Sequence, residues 1–302
     1  MRKYLEVLSN ILIAVSIIFL VVFFFTNDDF DDIVISLDIP FFIISILVLM
    51  LPIFIGVYVW FLSLRQYSIK VPFRYALASH GLSIFSKYIP GRVWTTLSRS
   101  AFISKLGHPI ITTSFISARL QVFQILIGIL VGAVPMMLLE IEWIYRLLIL
   151  AVVFVVLFVL VNESVQKYVF SLVNKITKNK IDIENISFKL KDSFFLIAVI
   201  FAQWVLYSLA YFFFIKSLTG NENWLLGFAL PLSMNLGLIS FITPGGLGVR
   251  EGVMVAYFIL FGVDTSSAAF VSILSRIWFF LGEGILFISG LIVNLFFIKK
   301  KS

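Results

Sequence analysis

Two arginines follow Pro-Gly breaks inside otherwise apolar sequence. Arg92 lies in Ser86-Lys87-Tyr88-Ile89-Pro90-Gly91-Arg92-Val93-Trp94, and Arg250 in Phe241-Ile242-Thr243-Pro244-Gly245-Gly246-Leu247-Gly248-Val249-Arg250-Glu251. Lys87 precedes the first break. Each break is followed by a full-length apolar segment with an arginine of its own, Arg119 and Arg276. A guanidinium presents a rigid fork of donors that matches phosphate oxygens, and charge at membrane depth is costly and usually functional. Thr95, Thr96 and Thr243 can donate further hydrogen bonds, and Glu251 and Glu283 can pair with arginines or carry a proton. These five cations against two acids make a positive centre, suited to an anionic headgroup whose acyl or polyprenyl tails stay in lipid.

The breaks themselves say how such a centre would be built. Proline stops a helix because it lacks an N–H and clashes with the preceding turn, and glycine lets the chain reverse. The helix that restarts after each break points free N–H groups and the positive end of its dipole at the break, where an anion is favoured. Irregular backbone at membrane depth is tolerated only inside protein or beside a wet cavity. Two broken elements in matching positions of two halves point to a transporter's central site. On this reading Pro90, Gly91, Pro244, Gly245, Gly246 and Gly248 form the hinges and tips, and Arg92, Arg250, Glu251, Arg119, Arg276, Lys87 and Glu283 line the substrate site. Blander readings stand beside it. Gly128 and Gly132 have the spacing of plain helix packing. Lys87 and Lys105 can be interfacial lysines that snorkel, and Arg119 and Arg276 can be structural partners of glutamates. His80 and His108 read as incidental.

The elements that must carry these residues are membrane spans. The 302-residue chain is 61% hydrophobic and 13% charged, outside the soluble range. Period-2 alternation is absent, which argues against a β-barrel. With no cysteine and two distant histidines, disulfides, thiolate nucleophiles, Cys-ligated metals and a His-based zinc site or triad are excluded or disfavoured. No cofactor is expected, and the net charge of +7 lies in loops and reports orientation rather than nucleic acid. No cleavable signal peptide is evident.

The apolar pattern predicts spans over 11–25, 40–62, 110–139, 143–161, 194–215 and 268–298. Short pairs are predicted at 76–89 with 93–106 and at 225–242 with 249–262. The stretch 27–39 carries Asp28, Asp29, Asp31, Asp32 and Asp38 without a basic residue, whereas 162–193 carries Lys167, Lys175, Lys178, Lys180, Lys189 and Lys191. Positive loops stay in the cytoplasm. That rule places the aspartates, Glu140, Glu142 and Asp264 outside, and Arg65, Lys70, Arg74, Arg99, Lys105 and both termini inside. Lys216 and Arg146 are the exceptions. The expected fold is an all-α integral membrane protein. It has six transmembrane helices plus two re-entrant helical hairpins, in one domain of inverted repeats (about 1–140 and 141–302). Val165–Val173 is expected to lie along the membrane surface.

Pro244-Gly245-Gly246-Leu247-Gly248-Val249-Arg250-Glu251, with Lys87-Tyr88-Ile89-Pro90-Gly91-Arg92-Val93-Trp94, resembles the lysylphosphatidylglycerol synthase transmembrane family, also called the flippase-like or UPF0104 family. The resemblance spans essentially the whole chain. It implies a multi-pass protein of the inner membrane: the family's best understood members translocate aminoacylated phosphatidylglycerol, and others accompany polyprenyl-linked glycan pathways. With the basic centre, the expected function is translocation of an anionic phospholipid or a polyprenyl-phosphate-linked sugar, with a membrane lipid or lipid-linked glycan as partner and cell-envelope enzymes as associates. No soluble aminoacyl-transferase region follows Lys301, so lysine transfer, and enzymatic activity altogether, is not expected of this chain. Two other readings stay open: a membrane glycosyltransferase or phosphatase using Asp28 and Asp31, and an accessory subunit of a polysaccharide pathway. The chain has no ATP-binding motif, and Glu251 stands where a dinucleotide fingerprint needs glycine. Transport would be passive or ion-coupled.

Overall fold

A computed structural model describes residues 37–88, 94–140, 142–176, 190–239, 246 and 248–298. Among them the chain is helical throughout, without a strand. Five helices are long and apolar enough to cross a membrane: Ile39–Gln66, Ile110–Leu138, Trp143–Val161, Ser193–Thr219 and Thr265–Ile298. Lipid supplies no partner for backbone N–H and C=O groups, so apolar runs of this length must close their hydrogen bonds internally as helices. The span expected at 11–25 and Asp28, Asp29, Asp31 and Asp32 lie outside the described residues.

Helix α1 (Ile39–Gln66) starts where Asp38 accepts a hydrogen bond from the Phe41 N–H at 3.2 Å, with Pro40 in the first turn. Two short helices follow, α2 (Phe73–Ser83), which continues as a 3₁₀ turn (Ile84–Tyr88), and α3 (Trp94–Ser104). Helix α4 (Ile110–Ala133) tightens into a 3₁₀ turn (Val134–Leu138) at Pro135. Helix α5 (Trp143–Val161) leads into α6 (Glu163–Ile176), which encloses the predicted surface segment. The second half repeats the order. Helix α7 (Leu190–Thr219) precedes a 3₁₀ turn (Trp224–Phe228), short helices α8 (Ala229–Ile239) and α9 (Val249–Leu260), and the long α10 (Thr265–Val293) with a π turn (Asn294–Ile298). The long helices extend a turn beyond the predicted ends at α1 and α7. Their last turns, such as Arg65 to Gln66, are polar yet remain hydrogen-bonded to packed neighbours.

Packing is reciprocal between the halves. Helices α1 and α7 form the most extensive contact, fastened where the Gln203 side chain donates to the Pro52 carbonyl at 2.9 Å. Helix α10 packs on α2, and α4 packs on α8, so the long helix after each short pair lies on the first short helix of the other half. Both crossings use glycine. A Cβ at Gly81 would stand 2.7 Å from the Leu286 carbonyl oxygen and 3.1 Å from Gly290 Cα, and one at Gly132 would stand 2.6 Å from the Leu232 backbone nitrogen. Hydrophobic association is weak in lipid, so such close van der Waals contact is what holds helices together.

Helix α5 differs. Leu147, Leu148, Phe154, Val155 and Phe158 are all exposed along it, an apolar surface fit for lipid. Lys216 and Arg146 both have local partners. Lys216 donates to Glu222 at 3.0 Å, and Arg146 donates to the Leu139 carbonyl at 3.0 Å.

Candidate functional site

The polar centre is assembled on one face of α10. Ser275, Phe279 and Glu283 recur every four residues, so they stack on one side of the helix, with Arg276 beside them. The first broken element reaches this face through Lys87, at the end of its 3₁₀ turn. Lys87 pairs with Glu283, and its ammonium lies 5.1 Å from the centroid of the Phe279 ring. The second element reaches it through the first turn of α9. Arg250 donates to the Ser275 hydroxyl at 3.1 Å, and its guanidinium lies 5.8 Å from the same ring centroid. Two cations from opposite halves of the chain thus share one aromatic ring, each within cation–π range.

Glu251 completes the arrangement. One carboxylate oxygen accepts the Gly248 N–H at 2.9 Å and the other accepts Arg276 Nε. The carboxylate therefore satisfies an orphan N–H of α9 and sits at the favourable end of its dipole. The turn before α9 needs glycine. Gly246 and Gly248 have φ of +70° and +81°, a region that other residues rarely adopt. A Cβ at Gly246 would also stand 2.8 Å from the Gly237 carbonyl oxygen, so the chain returns along α8 at backbone contact.

Lys87, Arg250 and Arg276 outnumber Glu251 and Glu283, so the cluster carries an excess positive charge. Arg276 Nη2 is buried and makes no hydrogen bond among the described residues. The arrangement can hold an anionic oxygen against several donors within a protein-lined interior, where such bonds are strong.

The structure brings together Lys87, Arg250, Glu251, Arg276 and Glu283, and it buries Gly246 beside them. Arg119 goes elsewhere. It donates to the Tyr67 hydroxyl at 2.5 Å and to the Ser193 hydroxyl at 3.0 Å, and it lies 5.0 Å from the Phe123 ring centroid. Pro90, Gly91, Arg92, Pro244 and Gly245 lie outside the described residues.

Three residues of the interior escaped the sequence reading. Phe279 looked like any of the chain's 34 phenylalanines. Arg99, expected in the cytoplasm with Lys105, is only 5% exposed. Its Nη1 donates to His80 Nδ1 at 3.1 Å, its Nε and Nη2 donate to the Ser117 hydroxyl, and its guanidinium stacks 4.3 Å from the Trp60 ring centroid. An arginine can only donate, so Nδ1 of His80 accepts, and His80 has a structural task. The available signal was weak: Arg99 lies four residues beyond Thr95 in a short helix rich in serine and threonine. A separate pocket of about 290 Å³ opens near the far end of α9, lined by Thr219, Asn221, Phe258 and Asp264 among others. Phe258 lies roughly 12 Å along the helix from Arg250, so this pocket is not part of the charged cluster.

Five apolar spans and two short helix pairs meeting on one ionisable cluster define a multi-pass helical membrane protein with a polar interior. The chain belongs to the lysylphosphatidylglycerol synthase TM region family, whose model matches residues 10–285. No curated protein and no solved structure matches it.

Proposed function

We propose that this protein is a lipid translocase of the cell membrane. It moves an anionic phospholipid or a polyprenyl-phosphate-linked sugar across the bilayer through the basic cluster on α10. One observation carries the reading: Lys87 and Arg250, from the two broken elements, lie over the same Phe279 ring. A phosphate between them would meet donors from both halves of the chain, as alternating access around a fixed site requires. The reciprocal packing of α10 on α2 and α4 on α8 supports inverted repeats. The short pairs are then re-entrant hairpins, with six crossings in all and both termini cytoplasmic. The family is one of lipid handling, which fits a headgroup as the ligand.

The test is a reconstituted vesicle assay with fluorescent anionic and zwitterionic phospholipids and a polyprenyl phosphate. Arg250→Ala and Arg92→Ala should each abolish movement of the anionic lipid without unfolding the protein. Losing a charge-assisted hydrogen bond costs about 1.5–3 kcal/mol, or roughly tenfold and more in occupancy. Arg→Lys should rescue partly, because the charge survives and the fork does not. A folded Arg250→Ala protein that moves every lipid at the parental rate would remove the anion site.

A further inference from the structure

The pocket at the far end of α9 has a floor and a rim of different chemistry. Leu226, Phe258 and Val271 make an apolar floor, each 1% exposed. Asn221, Asp264 and Ser267 make a polar rim. Backbone hydrogen bonds hold both sides of it. On one side the Thr219 hydroxyl accepts the Asn221 N–H at 3.2 Å, and Asn221 Oδ1 accepts the Asn223 N–H at 2.8 Å. On the other, the Val263 N–H donates to the Phe258 carbonyl at 3.0 Å, and Gly262 takes the turn with φ of +80°. The volume of about 290 Å³ lies at the small end of the range for ligand pockets.

The rim selects the ligand class by elimination. The Asp264 carboxylate repels an anion, so this is no second phosphate site. A hard metal ion needs several oxygen ligands, and among the described residues no group of His, Asp and Glu is placed to hold a metal. A wholly apolar group would strip water from Asp264 and Asn221 and return no hydrogen bond. An ammonium can only donate, yet the rim offers donors as well as acceptors. The Nδ2 amine of Asn221 makes no hydrogen bond among the described residues and has two N–H groups to give. Asp264 accepts the Ser267 N–H at 2.8 Å through one oxygen and has lone pairs to spare. Hydroxyl groups both donate and accept. A small polyol, with C–H groups for the floor and O–H groups for the rim, satisfies every group present.

Building on the lipid-translocase reading above, we propose that this pocket holds the uncharged polyol of the lipid headgroup, a sugar ring or a glycerol. One hydroxyl donates to Asp264 and a neighbouring one accepts from the Asn221 amide. Phe258 lies roughly 12 Å along α9 from Arg250. The pocket is therefore a second station, at the outer end of the protein on the topology proposed above. Phosphate and polyol are read at two successive positions of one lipid.

The experiment is saturation-transfer NMR on the full chain in micelles of a polyoxyethylene detergent, which brings no polyol headgroup of its own. Methyl β-D-glucopyranoside and 1-O-methylglycerol serve as uncharged probes, one for a lipid-linked sugar and one for a phosphoglycerol headgroup. The expected result is transfer to the C–H protons of one probe, and that probe tells the two lipid classes apart. Asn221→Ala should weaken binding roughly three- to tenfold. Asp264→Asn, which keeps a good helix cap, should weaken it by a similar factor or more. Ser267→Leu should fill the pocket and abolish transfer, and where one variant fails to fold the other two decide. Excess inorganic phosphate should leave transfer to the glucoside intact. Transfer to neither probe, equal transfer in a folded Ser267→Leu protein, or displacement by ethanolamine but not by the other polyol would overturn the polyol site. Displacement of the glucoside by phosphate would overturn it as a station separate from the charged cluster. None of these outcomes touches the anion site, which stands or falls with lipid movement by Arg250→Ala in vesicles.

Discussion

Replacing Lys87 by methionine deletes a cation and leaves its carboxylate in place, and the structure sets the size of the effect. Breaking a buried ion pair by removing one partner costs about 3–5 kcal/mol, chiefly because the other charge stays buried alone. The Glu283 side chain is 3% exposed, whereas Lys87 at 33% lets water screen the pair in part. The lower end applies, about 3 kcal/mol. The Arg276–Glu251 pair is the internal control. Its side chains are 21% and 17% exposed, and Glu251 retains the Gly248 N–H at 2.9 Å. Arg276→Met should therefore cost only about 1–2 kcal/mol.

The double variant Lys87→Met/Glu283→Gln removes both charges of the pair, so most of the loss should return. A coupling free energy of about 2 kcal/mol between the two positions is expected. The assay is equilibrium unfolding of the purified chain in mixed micelles, run as a double-mutant cycle at neutral pH. Two results would refute the reasoning: Lys87→Met costing less than Arg276→Met, or a double variant no more stable than Lys87→Met alone. Either would mean that Glu283 is not held by Lys87 in the folded protein.

The helix crossing at Gly132 should be intolerant of bulk. A valine there meets the Leu232 backbone at 2.6 Å, which cannot swing aside, so Gly132→Val should cost about 2 kcal/mol or more in the same unfolding assay. Asp264 caps α10 by accepting the Ser267 N–H at 2.8 Å, and this backbone hydrogen bond holds its carboxyl below the ordinary carboxylate range. Its folded-state value is depressed, so its stabilisation is complete above the unfolded value and fades as pH falls through the folded one. Asp264→Ala should cost about 0.5–2 kcal/mol near neutrality, with the gap to the parent closing in acid. The chain has no cysteine, so single replacements report topology cleanly. A cysteine at Asp264 should be labelled by an impermeant maleimide from outside, and one at Lys105 only from the cytoplasm. Outside labelling at position 105 would refute the re-entrant first hairpin.

Much of the architecture was legible in the chain because it follows from one-dimensional quantities. A run of apolar residues long enough for the hydrocarbon layer has to be helical, since lipid offers the backbone no hydrogen-bond partner. The runs predicted at 40–62, 110–139, 143–161, 194–215 and 268–298 coincide with the apolar helices at 39–66, 110–138, 143–161, 193–219 and 265–298. The positive φ at Gly246 and Gly248 fits the glycine chemistry read there, and the motif from Pro244 to Glu251 carried the family. Partner choice was not legible in the same way. Glu251 and Glu283 were candidates for any of five cations, and only packing selected Arg276 for one and Lys87, 196 positions away, for the other. Arg119 read as a member of the centre, yet the rotation of α4 turns it to Tyr67 and Ser193. Arg99 read as a cytoplasmic charge, and Trp60, His80 and Ser117, arriving on three other helices, bury it. Span formation is set along one helix, by its own length and apolarity. Which charge meets which is set between helices, by their rotation and crossing, and that is decided only when the bundle packs.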